Sequence, residues 1–69
     1  MKITLLSKPG FSGNMLVRKI QEVAKSQLLN IDVFLNEHLQ EADVVLLTPQ
    51  RNEDLKEIKK IVKVPVGVI

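Results

Sequence analysis

The sequence predicts a small α/β domain in which parallel strands alternate with helices. Two patterns indicate this fold: short aliphatic runs alternate with segments of helical periodicity, and residues typical of turns separate them. The 69 residues include no cysteine and few aromatic residues, while 45% are hydrophobic. A layered aliphatic core is therefore favoured over a disulfide scaffold or a disordered chain. A chain of this length is expected to form one domain, residues 1–69.

Four strands are expected, at residues 3–6, 31–35, 43–48 and 64–69. The third is continuously apolar, which is typical of a central parallel strand because both of its faces are buried. The second alternates loosely between apolar and polar residues, which is typical of an edge strand. Pro65 lies at the start of the fourth strand, where its missing N–H group is tolerated.

The first helix is predicted to begin at Met15, after an N-cap at Ser12 or Asn14, and to stop at a left-handed Asn30. Its apolar residues recur at helical spacing and define one face. They are Leu16, Ile20, Val23, Ala24 and Leu28.

A second helix is expected after an N-cap at Asn52, with Glu53 and Asp54 in its first turn and lysines near its end, where they complement the helix dipole. Between residues 35 and 43 the chain is too short for a full helix to return along a strand, since an extended residue spans only ~3.3 Å. We therefore expect this crossover to be reduced to about one turn, at residues 38–41.

Composition argues against several classes of function. The net charge of +2 is small and scattered, and only Phe11 and Phe34 could stack on bases, so nucleic-acid binding is not expected. No apolar run approaches the ~20 residues of a membrane helix, and the first residues lack a secretory signal, so a soluble, cytoplasmic protein is expected. Since no Cys, His or carboxylate residues have metal-ligand spacing, neither a metal nor a cofactor is expected.

Residues 7–14 form a glycine-containing loop between the first strand and the first helix. Such a loop can bind an anion, because its amides converge near the positive end of the helix dipole. Lys8 adds a positive charge, whereas Pro9 removes one amide donor. The alternative interpretation is a plain β–α turn without a ligand.

Ser7 is the candidate nucleophile of this loop, but a serine hydroxyl is a weak nucleophile unless a base lies against it. The single histidine, His38, falls in the short crossover, where an exposed residue without a catalytic role is expected. Phe11, Met15 and Leu16 are more simply explained as core and loop-anchoring residues than as a substrate pocket.

Two segments resemble a known family. Residues 3–17 (ITLLSKPGFSGNMLV) and 42–50 (ADVVLLTPQ) are similar to the enzyme IIB subunits of the lactose/cellobiose (chitobiose) type of sugar phosphotransferase system, PTS. In that family the first strand runs into a loop of the type Cys-Ser-x-Gly-x-Ser-Thr-Ser, and the third strand has the sequence Ala-Asp-Val-Val-Leu-Leu-Gly-Pro-Gln. The third strand carries the more specific likeness, and the similarity extends over nearly the whole chain.

The resemblance implies a four-stranded parallel sheet of order 2-1-3-4, in a Rossmann-like or flavodoxin-like arrangement of three layers. It also implies that the protein accepts a phosphoryl group from a phosphohistidine on enzyme IIA and passes it to a sugar held by the membrane enzyme IIC. Enzyme IIA, enzyme IIC and phosphate or another small anion are therefore the expected partners. Ser7 stands at the position of the family's phosphocysteine. The expected phosphate-binding residues are Lys8, Gly10, Phe11, Ser12, Gly13, Asn14 and Gln50.

Three departures from the family bear on function. Ser7 replaces the nucleophilic cysteine, Lys8 and Pro9 replace small residues with free amides, and the sequence ends at Ile69, before the family's final helix. Two functions stay open: a phosphoryl carrier impaired by Ser7, and a non-catalytic interaction or regulatory module that keeps the fold and the loop. Without a final helix, residues 44–47 and 66–69 are expected to be partly bare on the side of the first helix. Either self-association through this face or a partner segment that docks a helix onto it is expected.

Overall fold

A computed structural model describes the protein at residues 1–8 and 13–69. The strands are Lys2–Leu6 (β1), Asp32–Leu35 (β2), Val44–Leu47 (β3) and Val66–Val68 (β4). They are parallel and lie in the order β2-β1-β3-β4, which confirms the expected topology. The helices are Gly13–Ser26 (α1) and Leu55–Ile61 (α2), with short 3-10 helices at Leu39–Glu41 and Pro49–Asp54.

The strand register divides the sheet into two faces. Leu5 lies beside Leu46 of β3, and residues aligned across parallel strands point to the same face. α1 covers this face over β1 and β2. On the opposite face, α2 closes the main core, which consists of Leu6, Ala42, Val45, Leu47, Ile58 and Val62. A sheet between helices gives the three layers that were expected.

The second crossover is as short as the sequence predicts. It contains a single 3-10 turn, Leu39–Glu41. The buried Thr4 hydroxyl donates to the Glu37 carbonyl at 3.0 Å and anchors the crossover to the sheet. The Asp43 carboxylate then accepts a hydrogen bond from the Lys2 N–H at 2.8 Å, which positions the chain to enter β3.

The end of α1 differs from the prediction. Leu28, and not Asn30, adopts the left-handed conformation, with a φ of 58°. The Leu28 N–H donates to the Lys25 carbonyl and the Leu29 N–H to the Ala24 carbonyl, the two bonds of a Schellman motif. Because glycine is the usual residue at this position, the Leu28 backbone is strained, and its side chain is 93% exposed.

The starts of both helices also differ. α1 begins at Gly13, so Asn14 lies in its first turn and is not the N-cap, while Ser12 lies outside the described residues. Before α2, the 3-10 helix Pro49–Asp54 follows β3 directly and contains Asn52, the predicted N-cap. A proline at its first position favours this early start, because its φ is already helical. Of the helices within the described residues, none has the length and apolar character needed to cross a membrane.

β3 is covered unequally on its two faces. Val45 and Leu47 point toward α2 and are fully buried. Val44 and Leu46, on the side of α1, are only half-buried, and the nearby Ile69 is 51% exposed. Since α1 packs on β1 and β2, the sheet is less covered over β3 and β4, which agrees with the expected bare face.

Candidate anion-binding site

Ser7 follows β1 directly and lies beside the start of α1 at the carboxyl end of the sheet. The residue is 3% exposed. Among the described residues its hydroxyl makes one hydrogen bond, which it donates to the Lys8 carbonyl at 3.4 Å. The candidate nucleophile is therefore buried, and the hydrogen bond that it makes is not to a base.

Gly13 lets α1 approach Ser7 closely. A Cβ atom at Gly13 would lie 3.0 Å from Ser7 Cβ, 3.1 Å from Ser7 Oγ and 2.9 Å from Leu35 Cδ1. Because a side chain would have to displace these neighbours, glycine is favoured as the residue that begins α1. Gly13, one of the expected phosphate-binding residues, thus has a packing role: it covers Ser7.

The backbone N–H of Ser7 is already hydrogen-bonded. It donates to Asn36 Oδ1 at 2.8 Å. Asn36 follows β2 and has a φ of 56°, a left-handed conformation that Asn tolerates better than most residues. The Asn36 N–H donates to the Leu5 carbonyl, which holds Asn36 beside the end of β1. An anion at the loop would have to displace the Asn36 side chain to use the Ser7 amide.

The Lys8 ammonium is paired with a carboxylate. Lys8 Nζ lies 3.1 Å from Glu53 Oε1, and the two side chains are 43% and 71% exposed. Glu53 belongs to the 3-10 helix after β3, so the ion pair connects the segments that follow β1 and β3. An exposed pair of this kind contributes about 0.2–1 kcal/mol to stability. Its carboxylate offsets the positive charge that was expected to attract an anion.

The remaining expected site residues fall into two groups. Asn14 and Gln50 are exposed, in the first turn of α1 and in the 3-10 helix after β3. Because β1 and β3 are parallel neighbours, the segments that follow them lie at the same end of the sheet. Outside the described residues lie Gly10, Phe11 and Ser12, together with Pro9.

Thr48 adds a second buried hydroxyl at this end of the sheet. It follows Leu47, the partner of Leu6 in the register, and its N–H donates to the Leu6 carbonyl at 3.0 Å. Thr48 is 1% exposed, and its Oγ1 has no hydrogen-bond partner within residues 1–8 and 13–69. Because side chains alternate along a strand, Thr48 and Ser7 occupy neighbouring positions on the α1 side of the sheet.

His38 has the exposed position that was predicted. Its side chain is 44% exposed, and Nδ1 lies 2.9 Å from Glu41 Oε2. The ring packs at 4.5 Å from the ring of Phe34. These partners place the imidazole at the crossover, on the face opposite α1, so it is not a base for Ser7.

Sequence analysis missed three residues of this site: Asn36, Thr48 and Glu53. Asn36 had a usable signal, since a turn-forming residue directly follows a predicted strand. Glu53 was expected only to complement the dipole of a helix. Its contact with Lys8 joins residues 45 positions apart, which depends on how the two loops approach each other.

The fold and the sequence define a class of protein: a three-layer, parallel α/β domain whose first strand and first helix are connected by a glycine-containing segment. No protein-family model matches the chain, and no curated protein matches it either. Functional inference therefore depends on the residues of the site and on their geometry.

Proposed function

We propose that the chain is an enzyme IIB-like component of a sugar phosphotransferase system of the lactose/cellobiose type that acts as a non-catalytic interaction or regulatory module. The likeness of residues 3–17 and 42–50 to that family supports this origin. The strand order β2-β1-β3-β4 agrees with it. The geometry around Ser7 favours an interaction module over a phosphoryl carrier.

The observation that carries the proposal is the burial of Ser7, a residue that is 3% exposed and is covered by Gly13. To accept a phosphoryl group, Oγ must attack the phosphorus in line while its proton passes to a base. Among the described residues, Oγ is hydrogen-bonded to the Lys8 carbonyl and to no imidazole or carboxylate. A cysteine thiolate would need no such base near neutral pH, but serine does.

The chemistry of the product supports the same conclusion. A carrier must form an intermediate that readily passes its phosphoryl group to a sugar. A phosphoserine ester is too stable to be a good donor, so Ser7 would retain the group even if it became phosphorylated.

The loop retains a weak capacity for an oxyanion. The start of α1 and the Lys8 ammonium favour a negative charge at this end of the sheet. Glu53 and Asn36 oppose it, because one neutralises Lys8 and the other occupies the Ser7 amide. The proposed partners are enzyme IIA and enzyme IIC, with phosphate as a weak ligand, and the proposed location is the cytoplasm.

Incubation with phosphorylated enzyme IIA of the lactose/cellobiose type, followed by measurement of intact mass, tests this proposal. We expect no gain of a phosphoryl group and no transfer to sugar when enzyme IIC is added. Amide NMR with unphosphorylated enzyme IIA is expected to detect docking. Stoichiometric phosphorylation that passes to sugar would establish the phosphoryl carrier instead, and absence of both phosphorylation and docking would remove the proposed role in this system.

The Ser7→Cys variant distinguishes the effect of the missing thiol on phosphoryl transfer from the effect of the loop that surrounds it. We expect the thiol alone to restore little transfer, because the Ser7 amide is held by Asn36 and Pro9 has no N–H. Loss of one such donor costs ~3 kcal/mol, about a hundredfold in rate. Transfer by this variant at the rate of an authentic enzyme IIB would show that the loop is intact and that only the nucleophile is missing.

A further inference from the structure

β4 forms one edge of the sheet, and its outward backbone groups are free to pair. The Pro65 carbonyl accepts a hydrogen bond from β3, and the Ile69 N–H donates a hydrogen bond to β3. Because inward and outward backbone groups alternate along a strand, every second residue of this segment points its backbone groups inward. The N–H and C=O groups of Val66 and Val68 therefore point away from the sheet. No strand pairs with them within residues 1–8 and 13–69. Pro65 lacks only an inward N–H, so it leaves the outer edge intact.

This edge is protected only by its short length, since β4 has three residues. Edge strands are commonly blocked by short length, by charged residues or proline, by bulges or by a covering element. Residues 64–69 contain no charged side chain. Val66 and Gly67 are half-buried, and Val68 is 42% exposed. An uncharged and accessible edge of this kind is a template for a further strand.

Two of the three lysines of α2, Lys56 and Lys59, lie on the side of this edge. Ile61 lines a cavity together with Leu39, so the flank of α2 that carries Ile61 faces the crossover. Lys59 lies on the opposite flank, because two residues rotate a helix by about 200°, and Lys56 lies about one turn before it. α2 packs on β4, so this flank faces the β4 edge. Both lysines are exposed, whereas Glu57 lies about one turn before Ile61, on the crossover side.

The charge distribution distinguishes between two occupants of the edge. A second copy that paired its β4 with this one would bring two lysine-bearing flanks together, and residues 64–69 have no acidic side chain to offset them. An acidic strand would instead place carboxylates beside Lys56 and Lys59. Charge complementarity therefore favours an acidic partner over a second copy.

We propose that the β4 edge is a docking site for an extended acidic segment of a partner protein, which adds to the sheet as a fifth strand. Main-chain bonds to Val66 and Val68 align the segment. Its acidic side chains point toward Lys56 and Lys59, and the alternate side chains, which are apolar, extend the half-buried face at Leu46. This inference does not depend on the proposed phosphotransferase role, since it uses neither Ser7 nor the loop that follows it.

A synthetic peptide of alternating Glu and Val residues, labelled with fluorescein, serves as the probe, and a peptide with Lys in place of Glu is its control. The full chain is titrated at a concentration where sedimentation shows a single species, with fluorescence anisotropy and amide NMR as readouts. We expect the acidic peptide to shift the amide signals of Val66 and Val68. The lysine peptide is expected to bind about tenfold more weakly.

Two pairs of variants separate backbone pairing from charge. Val66→Pro removes an outward N–H and is expected to abolish binding, whereas Val66→Ala loses similar packing, keeps the N–H and is expected to bind. Replacing Lys56 and Lys59 together by Gln is expected to weaken binding about fivefold. The same change at Lys19 and Lys25, which are exposed on α1, is expected to have no effect.

Equal binding of the two peptides, or unchanged affinity after replacement of Lys56 and Lys59, would overturn the proposal. Selective shifts at Val33 and Leu35 would also overturn it, because their amides point outward from β2, the other edge. A dimer that Val66→Pro dissociates would assign the β4 edge to a second copy. If Val66→Pro does not fold, the comparison of the two peptides and the lysine variants still test the proposal.

Discussion

The backbone N–H of Ser7 donates to the side-chain oxygen of Asn36 across 2.8 Å, and this bond connects the ends of β1 and β2. The Ser7 amide belongs to the loop in which amides were expected to face an anion. Because the Ser7 amide donates its hydrogen bond to Asn36, it stabilises the fold and is not free to bind a ligand.

Replacing Asn36 by Gly removes the acceptor while allowing the left-handed backbone conformation. We expect the free energy of unfolding to fall by about 1 kcal/mol, because the Ser7 amide loses its partner. Urea denaturation measures this change. Asn36→Asp keeps an oxygen acceptor and is expected to retain more of the stability; equal losses in the two variants would mean that the bond is not the cause.

Replacing Glu53 by Gln removes the carboxylate beside Lys8. Phosphate is expected to bind about threefold more tightly, because a surface charge pair of this kind is worth less than ~1 kcal/mol. Amide NMR titration with phosphate, followed at Ser7, Lys8 and Asn14, provides the measurement. Glu57→Gln, with an exposed carboxylate on α2, is the control; an absence of selective shifts at the loop in every variant would argue against an anion site.

Replacing Gly13 by Ala introduces a Cβ atom at 2.9 Å from Leu35 and 3.0 Å from Ser7. We expect a loss of about 1–3 kcal/mol in the free energy of unfolding, since α1 or the Ser7 and Leu35 side chains must shift to make room. Gly67→Ala is a matched control, because its Cβ would lie 3.6 Å from Leu46, an ordinary contact. A Gly13→Ala protein as stable as Gly67→Ala would show that α1 does not pack tightly over Ser7.

Replacing Leu28 by Gly is expected to stabilise the protein by about 0.5–1 kcal/mol. Leu28 has a φ of 58° and is 93% exposed, so glycine relieves backbone strain with little loss of packing. Leu28→Ala keeps the strain and is expected to give no such gain. If thermal denaturation shows Leu28→Gly to be destabilising, the Leu28 side chain must contribute packing that its exposure does not suggest.

The half-buried residues Val44 and Leu46 and the exposed Ile69 form the face through which self-association was expected. Sedimentation over a range of protein concentrations tests this prediction. We expect association at high concentration that Leu46→Lys abolishes, because a charge would be buried in the contact. Val23→Lys, at an exposed position of α1, is the control, and a wild-type protein that stays monomeric at every concentration would contradict the prediction.

Local patterns were sufficient to predict the strands and helices, whereas the strand order β2-β1-β3-β4 was expected from the family resemblance. The continuously apolar residues 43–48 predict a buried parallel strand, and the short stretch between residues 35 and 43 leaves room for only one turn. Both predictions are confirmed by β3 and by the 3-10 turn Leu39–Glu41. They succeed because strand burial and chain length depend on residues that are close in the sequence.

The end of α1 was decided by main-chain hydrogen bonds within its last turn, whereas the state of Ser7 was decided by tertiary structure. Carbonyl groups of the last turn of α1 select Leu28 as the left-handed residue, although Asn30 has the more favourable intrinsic preference. The Ser7 amide meets Asn36 from 29 positions away, and Lys8 meets Glu53 from 45 positions away. Such contacts arise only when the register of the strands and the packing of α1 bring separate loops to one end of the sheet, so no local pattern determines them.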